Sequence, residues 1–163
     1  MNAKDAIKHA LNMNHQILTT YLSDLSDADL LVRPVPGANH IAWQLGHLIA
    51  AEGMLLKETA GARPPELPAG FAEQHGKEKA ASNSPEGFRT KQEYLDLYAK
   101  AREATLQALA NLPEADLDKP ITGRMAQIAP TVGALFLLTA NHELMHAGQF
   151  AVVRRKLGKP VLI

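Results

Sequence analysis

The sequence predicts an all-α fold, a four-helix bundle, on three observations. Apolar residues recur at three- and four-residue steps in four separate stretches, no stretch alternates with period two, and proline- and glycine-bearing segments separate the four. A chain of 163 residues, 46% of them hydrophobic, is long enough to close one core, so residues 1–163 read as a single domain.

The first helix spans Ala3 to Leu25, where Ile7, Leu11, Leu18, Leu22 and Leu25 share a stripe with Ile17 and Tyr21 beside them. Ser26-Asp27-Ala28-Asp29 starts a short helical turn. Pro34, Pro36 and Gly37 then break the chain ahead of Asn39, the expected N-cap of the second helix. That helix runs from about His40 to Glu58 and buries Ile41, Leu45, Leu48, Ile49 and Leu55.

Residues 60–89 contain Gly61, Pro64, Pro65, Pro68, Gly70, Gly76, Pro85 and Gly87, which forbid a continuous helix. So long a connection fits a lid, with Phe71 to Lys79 as the covering part, or a crossover along the length of a bundle. As a crossover it makes the second and third helices parallel.

Thr90-Lys91-Gln92-Glu93 has the form of a capping box and starts the third helix at Lys91. Tyr94, Leu97, Tyr98, Ala101, Thr105, Leu109 and Leu112 form its inward face until Pro113 ends it. After a link punctuated by Pro120, Gly123 and Pro130, the fourth helix runs from Thr131 to Leu157 and is closed by Gly158 and Pro160. Helices of about 20 residues are about 30 Å long and suit a bundle. Leu25-Ser26-Asp27-Ala28-Asp29-Leu30 is echoed by Leu112-Pro113-Glu114-Ala115-Asp116-Leu117, which supports two helical hairpins of similar design.

Composition excludes several classes. Seventeen Lys+Arg balance 17 Asp+Glu with no basic run, so nothing favours nucleic acid or an anionic membrane as partner. With no cysteine, disulfides, Cys-ligated zinc and a cysteine nucleophile are excluded, and any thiol chemistry takes an external thiol. The first ten residues include Lys4, Asp5 and Lys8 in place of a secretory pattern, and no window is apolar enough to span a bilayer. These features predict a cytoplasmic protein.

The chemistry concentrates at His142-Glu143-Leu144-Met145-His146, an H-E-x-x-H sequence whose i,i+4 spacing stacks two imidazoles on one helix face. Leu135, Leu138, Thr139, Val152 and Val153 read as the same inward stripe. Two histidines there are either hydrogen-bonded core residues or a metal-chelating pair. A catalytic site typically adds a third protein ligand and leaves a position open. His47, midway along the second helix among Leu45, Leu48 and Ile49, is the best candidate because it meets the pair at one depth. His15 is the reserve. His40 reads as a helix-end residue that can also line a mouth, His9 and His75 as solvent-exposed, and Trp43 as core or as a wall of a pocket.

H-E-x-x-H is also the zinc-protease signature. The continuation Ala147-Gly148-Gln149-Phe150-Ala151-Val152 lacks the glycine and third histidine at metzincin spacing, and no strand is evident in the sequence to hold an extended peptide. Glu143, rotated about 100° from His142, is a candidate to orient a metal-binding histidine from behind or to act as a base. Arg154-Arg155 can anchor an anionic substrate or complement the helix dipole.

Ile41-Ala42-Trp43-Gln44-Leu45-Gly46-His47-Leu48 followed by Glu52, and His142 to Gln149 with Arg154-Arg155 and Leu157-Gly158, resemble the two signature helices of the DinB/YfiT-like metalloenzymes, the DinB superfamily. The resemblance covers essentially the whole chain. It implies an up-down-down-up four-helix bundle with a long crossover between helices two and three. It also implies a divalent metal, zinc or nickel, on His47, His142 and His146 with open positions, and often a homodimer. Characterised relatives include transferases and isomerases that use bacillithiol or mycothiol. The expectation is a metal-dependent enzyme resembling thiol-dependent S-transferases and acting on a small molecule. The alternatives are a hydrolase with water as nucleophile and Glu143 or Glu52 as base, and a non-catalytic metal- or ligand-binding bundle.

Overall fold

Among the described residues five α-helices carry the fold: α1 (Ala3–Leu22), α2 (Ile41–Lys57), α3 (Phe71–Gln74), α4 (Lys91–Asn111) and α5 (Val132–Lys156). The computed structural model describes residues 1–59, 62–82 and 84–163; Ala60 and Gly61, at the start of the anticipated connection, and Asn83 within it lie outside the described residues. Among the described residues there is no strand, only an isolated bridge between Pro120 and Thr131.

The helix starts follow local capping chemistry. Asn2 and Thr90 each form a capping box, with Asp5 and Glu93 respectively, and Thr131 caps α5 through the backbone N–H of Ala134. The start of α2 differs from expectation. Its cap is His40, whose Nδ1 accepts from the Trp43 N–H at 3.0 Å, while the Asn39 carbonyl accepts from the Gln44 side chain. A neutral imidazole nitrogen offers the lone pair that Asn39 was expected to supply.

α1 stops at Leu22 rather than Leu25 because Ser23 Oγ donates back to the Thr20 carbonyl and turns the chain. Ser26 and Asp29 then cap each other reciprocally, and the short helical turn that this stretch starts runs over Asp29–Leu31.

The four long helices pack so that α1 lies against α4 and α5, and α2 against the same two. Their ends are tied by long basic side chains. Lys4 at the start of α1 donates to the carbonyls of Ala110 and Leu112 at the end of α4, and Lys91 at the start of α4 donates to Leu22 and Leu25 after α1. Arg154, fully buried, donates to the Tyr21 and Pro160 carbonyls and to Asp24. Its role is to join α5 to the end of α1, which excludes it as an exposed anchor for an anion.

The buried stripe of α5 is Phe136, Ala140, Glu143, Ala147, Phe150 and Arg154, at steps of four and three. Val152, expected inside, is 44% exposed because it lies off that stripe. Glu143 therefore occupies the centre of the core face and the two histidines its flank.

The connection from α2 to α4 is not structureless. It contains α3 and a single 3-10 turn at Lys77–Lys79, and it buries Phe71 and His75. A Cβ on Gly46 would meet the His75 ring at 2.0 Å, so only glycine lets this segment lie against α2. The Arg33 side chain donates to the Ala80 and Ser82 carbonyls and ties down its far part.

Candidate metal centre

His47 from α2 and His142 and His146 from α5 converge so that one ring nitrogen of each lies within 4.8 Å of the others, close enough to share one cation. The centre is built from two helices: i,i+4 spacing on α5 stacks two rings, and the contact of α2 with α5 brings the third.

Two of the three rings, those of His146 and His47, are fixed by groups outside the trio. His146 Nδ1 donates to Gln44 Oε1 at 2.7 Å, which leaves its Nε2 as a lone pair 3.2 Å from Nε2 of His142. His47 stacks on Trp43 with the rings 8° from parallel and hydrogen-bonds the backbone of His75. Trp43 in turn donates its indole N–H to the Gly76 carbonyl.

The electrostatics keep these rings neutral. Burial, reinforced by the neighbouring histidines, lowers His142 to about 4 and His146 to about 3, and His47 falls through burial and then the Lys77 charge. A neutral imidazole is the form that ligates a metal.

Behind the trio runs a buried polar layer. Arg102 clamps both oxygens of Glu52 at 3.0 Å and donates to Glu143 Oε2 at 2.9 Å and to the Leu11 carbonyl. His15 Nδ1 donates to Glu143 Oε1 at 2.8 Å, and the Tyr98 hydroxyl also bonds Glu143. Burial opposes the Arg102 charge, but the two carboxylates outweigh it and hold the guanidinium more basic than usual. Burial and then those same carboxylates push Tyr98 well above the usual phenol range. Neither Glu143 nor Glu52 belongs to the histidine cluster.

The remaining histidines are accounted for. His15 stays in the polar layer, His40 caps α2, and His9 is exposed as expected. His75, expected at the surface, is 2% exposed: its Nδ1 donates to the Phe71 carbonyl and its Nε2 accepts from the Tyr94 hydroxyl. A Phe71–His75 pair within one turn was the available local signal. Gln44 and Arg102 were likewise missed. Each lies one helical turn from a recognised inward residue, His47 and Tyr98 respectively, and Gln44 is in addition a polar side chain inside an apolar run.

A cavity of about 770 Å³ opens beside His47, between α2 and the connection from α2 to α4, whose residues from Ala72 to Lys77 form one wall. No described helix is long and apolar enough to cross a membrane.

The sequence pattern of the DinB superfamily matches residues 10–150. The fold is similar to that of a solved structure described as a conserved protein from Enterococcus faecalis, with a TM-score of 0.72 over 98% of this chain and 99% of that one, at 19% identity. No curated protein matches the chain.

Proposed function

Because the chain belongs to the DinB superfamily, we propose that His47, His142 and His146 hold one divalent cation, zinc or nickel, and that the protein is a metal-dependent enzyme. Its substrate is a small molecule and its nucleophile an external low-molecular-weight thiol.

The observation that carries this reading is the donor set: three imidazoles from two helices, kept neutral by burial, with nitrogens within 4.8 Å. Three nitrogen ligands suit zinc or nickel and leave coordination positions for other groups. The chemistry such a cation supplies is Lewis acidity, which favours the thiolate form of a thiol at neutral pH. The chain's own residues hold the site ready. Gln44 sets the tautomer of His146, Trp43 and the His75 backbone set the ring of His47, and the cavity beside His47 gives a small molecule access.

The thiol reading is favoured over hydrolysis by where the carboxylates lie. Glu52 and Glu143, the bases a hydrolase would recruit, are both engaged by Arg102 and lie outside the histidine cluster. A thiol of low pKa needs no such base. The finer architecture that accompanies this reading is a single up-down-down-up bundle acting in the cytoplasm as a homodimer. The contacts of Lys4 and Lys91 with opposite helix ends support that order.

Elemental analysis of protein purified without an affinity tag tests the site. Wild type is expected to carry about one zinc or nickel per chain, and His47→Ala and His142→Ala to lose it. Wild-type protein that stays metal-free after reconstitution overturns the proposal. Turnover of electrophiles that is no faster with bacillithiol, mycothiol or glutathione than without removes the thiol component.

A further inference from the structure

The cavity beside His47 has a chemistry of its own. Its walls are mostly apolar, with Met54 and Ala51 on α2 facing Pro64, Pro65 and Leu67 of the connection from α2 to α4. Three cations, Lys57, Arg63 and Lys77, also line it, against the single acid Glu66. None of the three side chains makes a hydrogen bond or ion pair among the described residues. Scattered surface cations are ordinary, but these gather around one apolar hollow.

We infer that this cavity binds an amphipathic acid: a molecule with an apolar body seated between α2 and that connection, and an anionic group, a carboxylate in the simplest case, at the rim formed by Lys57, Arg63 and Lys77. About 770 Å³ accommodates a body of drug-like size. The cations select the charge of the head group, and the apolar walls contribute affinity without selecting a functional group. As a statement about substrate, the inference rests on the metal-dependent reading above; as a statement about binding, it stands alone.

The test uses metal-free protein, so that no carboxylate can be bound through a metal. Trp43 is the only tryptophan in the chain, stacks on His47 and bonds the Gly76 carbonyl, so its fluorescence reports on this cavity. The probes are 4-phenylbutyrate, 4-phenylbutanol and 4-phenylbutylamine, which share a body and differ in head group. The acid is expected to bind about tenfold more tightly than the alcohol, with the amine weakest. Lys77→Met and Arg63→Met, both at exposed positions, are each expected to weaken the acid about threefold to tenfold and leave the alcohol unchanged. Equal affinities for the three head groups, an acid preference that survives the triple variant Lys57→Met, Arg63→Met, Lys77→Met, or no binding by fluorescence and calorimetry each overturns the inference. Metal content read separately distinguishes this failure from failure of the metal site.

Discussion

Gln44 Oε1 accepts a hydrogen bond from His146 Nδ1 across 2.7 Å, joining α2 to α5 where both side chains are buried. The bond determines which nitrogen of His146 carries its proton, and therefore which one is presented to His47 and His142. A glutamine inside an apolar helix face has a physical reason to be there: it orients a buried imidazole that would otherwise choose between two tautomers.

Gln44→Leu is expected to keep the fold and weaken zinc binding by about tenfold to a hundredfold, the usual cost of losing an outer partner of a metal-bound histidine. Competition against a chromophoric chelator measures it. Affinity equal to wild type would reduce Gln44 to a core-filling residue.

Arg102 compensates two buried carboxylates, and removing it leaves Glu52 and Glu143 without their shared cation. Arg102→Met should destabilise the protein by about 3–5 kcal/mol in urea unfolding. Adding Glu52→Gln to that variant should recover part of the loss, since one unpaired charge disappears. A loss below about 1 kcal/mol contradicts this account.

His40 makes stability depend on pH. Burial and then the nearby Arg33 charge lower it from 6.5 to about 4, so between those values the unfolded chain binds more protons than the folded one. Stability therefore falls as pH drops from about 6.5 towards 4, by up to about 3 kcal/mol from this group alone. His40→Asn keeps a cap without the titration and should flatten that part of the Tm–pH curve. An unchanged slope would assign the pH dependence to other groups.

Gly46→Ala places a Cβ where the His75 ring sits, 2.0 Å from its nearest atom. The connection from α2 to α4 must shift and its bonds from His75 to Phe71 and Tyr94 are strained, at a cost of about 1–3 kcal/mol. Proteolysis between residues 62 and 89 should accelerate as well. Adding His75→Ala should abolish the extra cost of Gly46→Ala, and additive effects in the double variant would rule out the clash as the cause.

Much of this was legible in the sequence for a local reason. The Thr90 capping box, the breaks at Pro34–Gly37 and Pro113, and the spacing of Ile7, Leu11, Leu18 and Leu22 all act within a turn or two, so helix positions were recoverable to within about three residues. The same argument set His142 and His146 on neighbouring turns and His47 at a matching depth. It failed where rotation about a helix axis mattered: Glu143, with no exposed surface, takes the middle of the α5 core face and Val152 turns outward. Apolar spacing could not reveal this because the innermost positions, Glu143 and Arg154, are themselves charged.

By itself the sequence determined the helices, the absence of cysteine chemistry and the three histidines that can share a cation. Tertiary structure alone decided what each buried polar group touches. Gln44 reaches His146 across 102 positions of chain and Arg102 reaches Glu52 across 50, while His75 leaves the surface only because Gly46 and Tyr94 receive it. Such partners leave no local periodicity, since a buried polar group is satisfied by whichever helix packs against it.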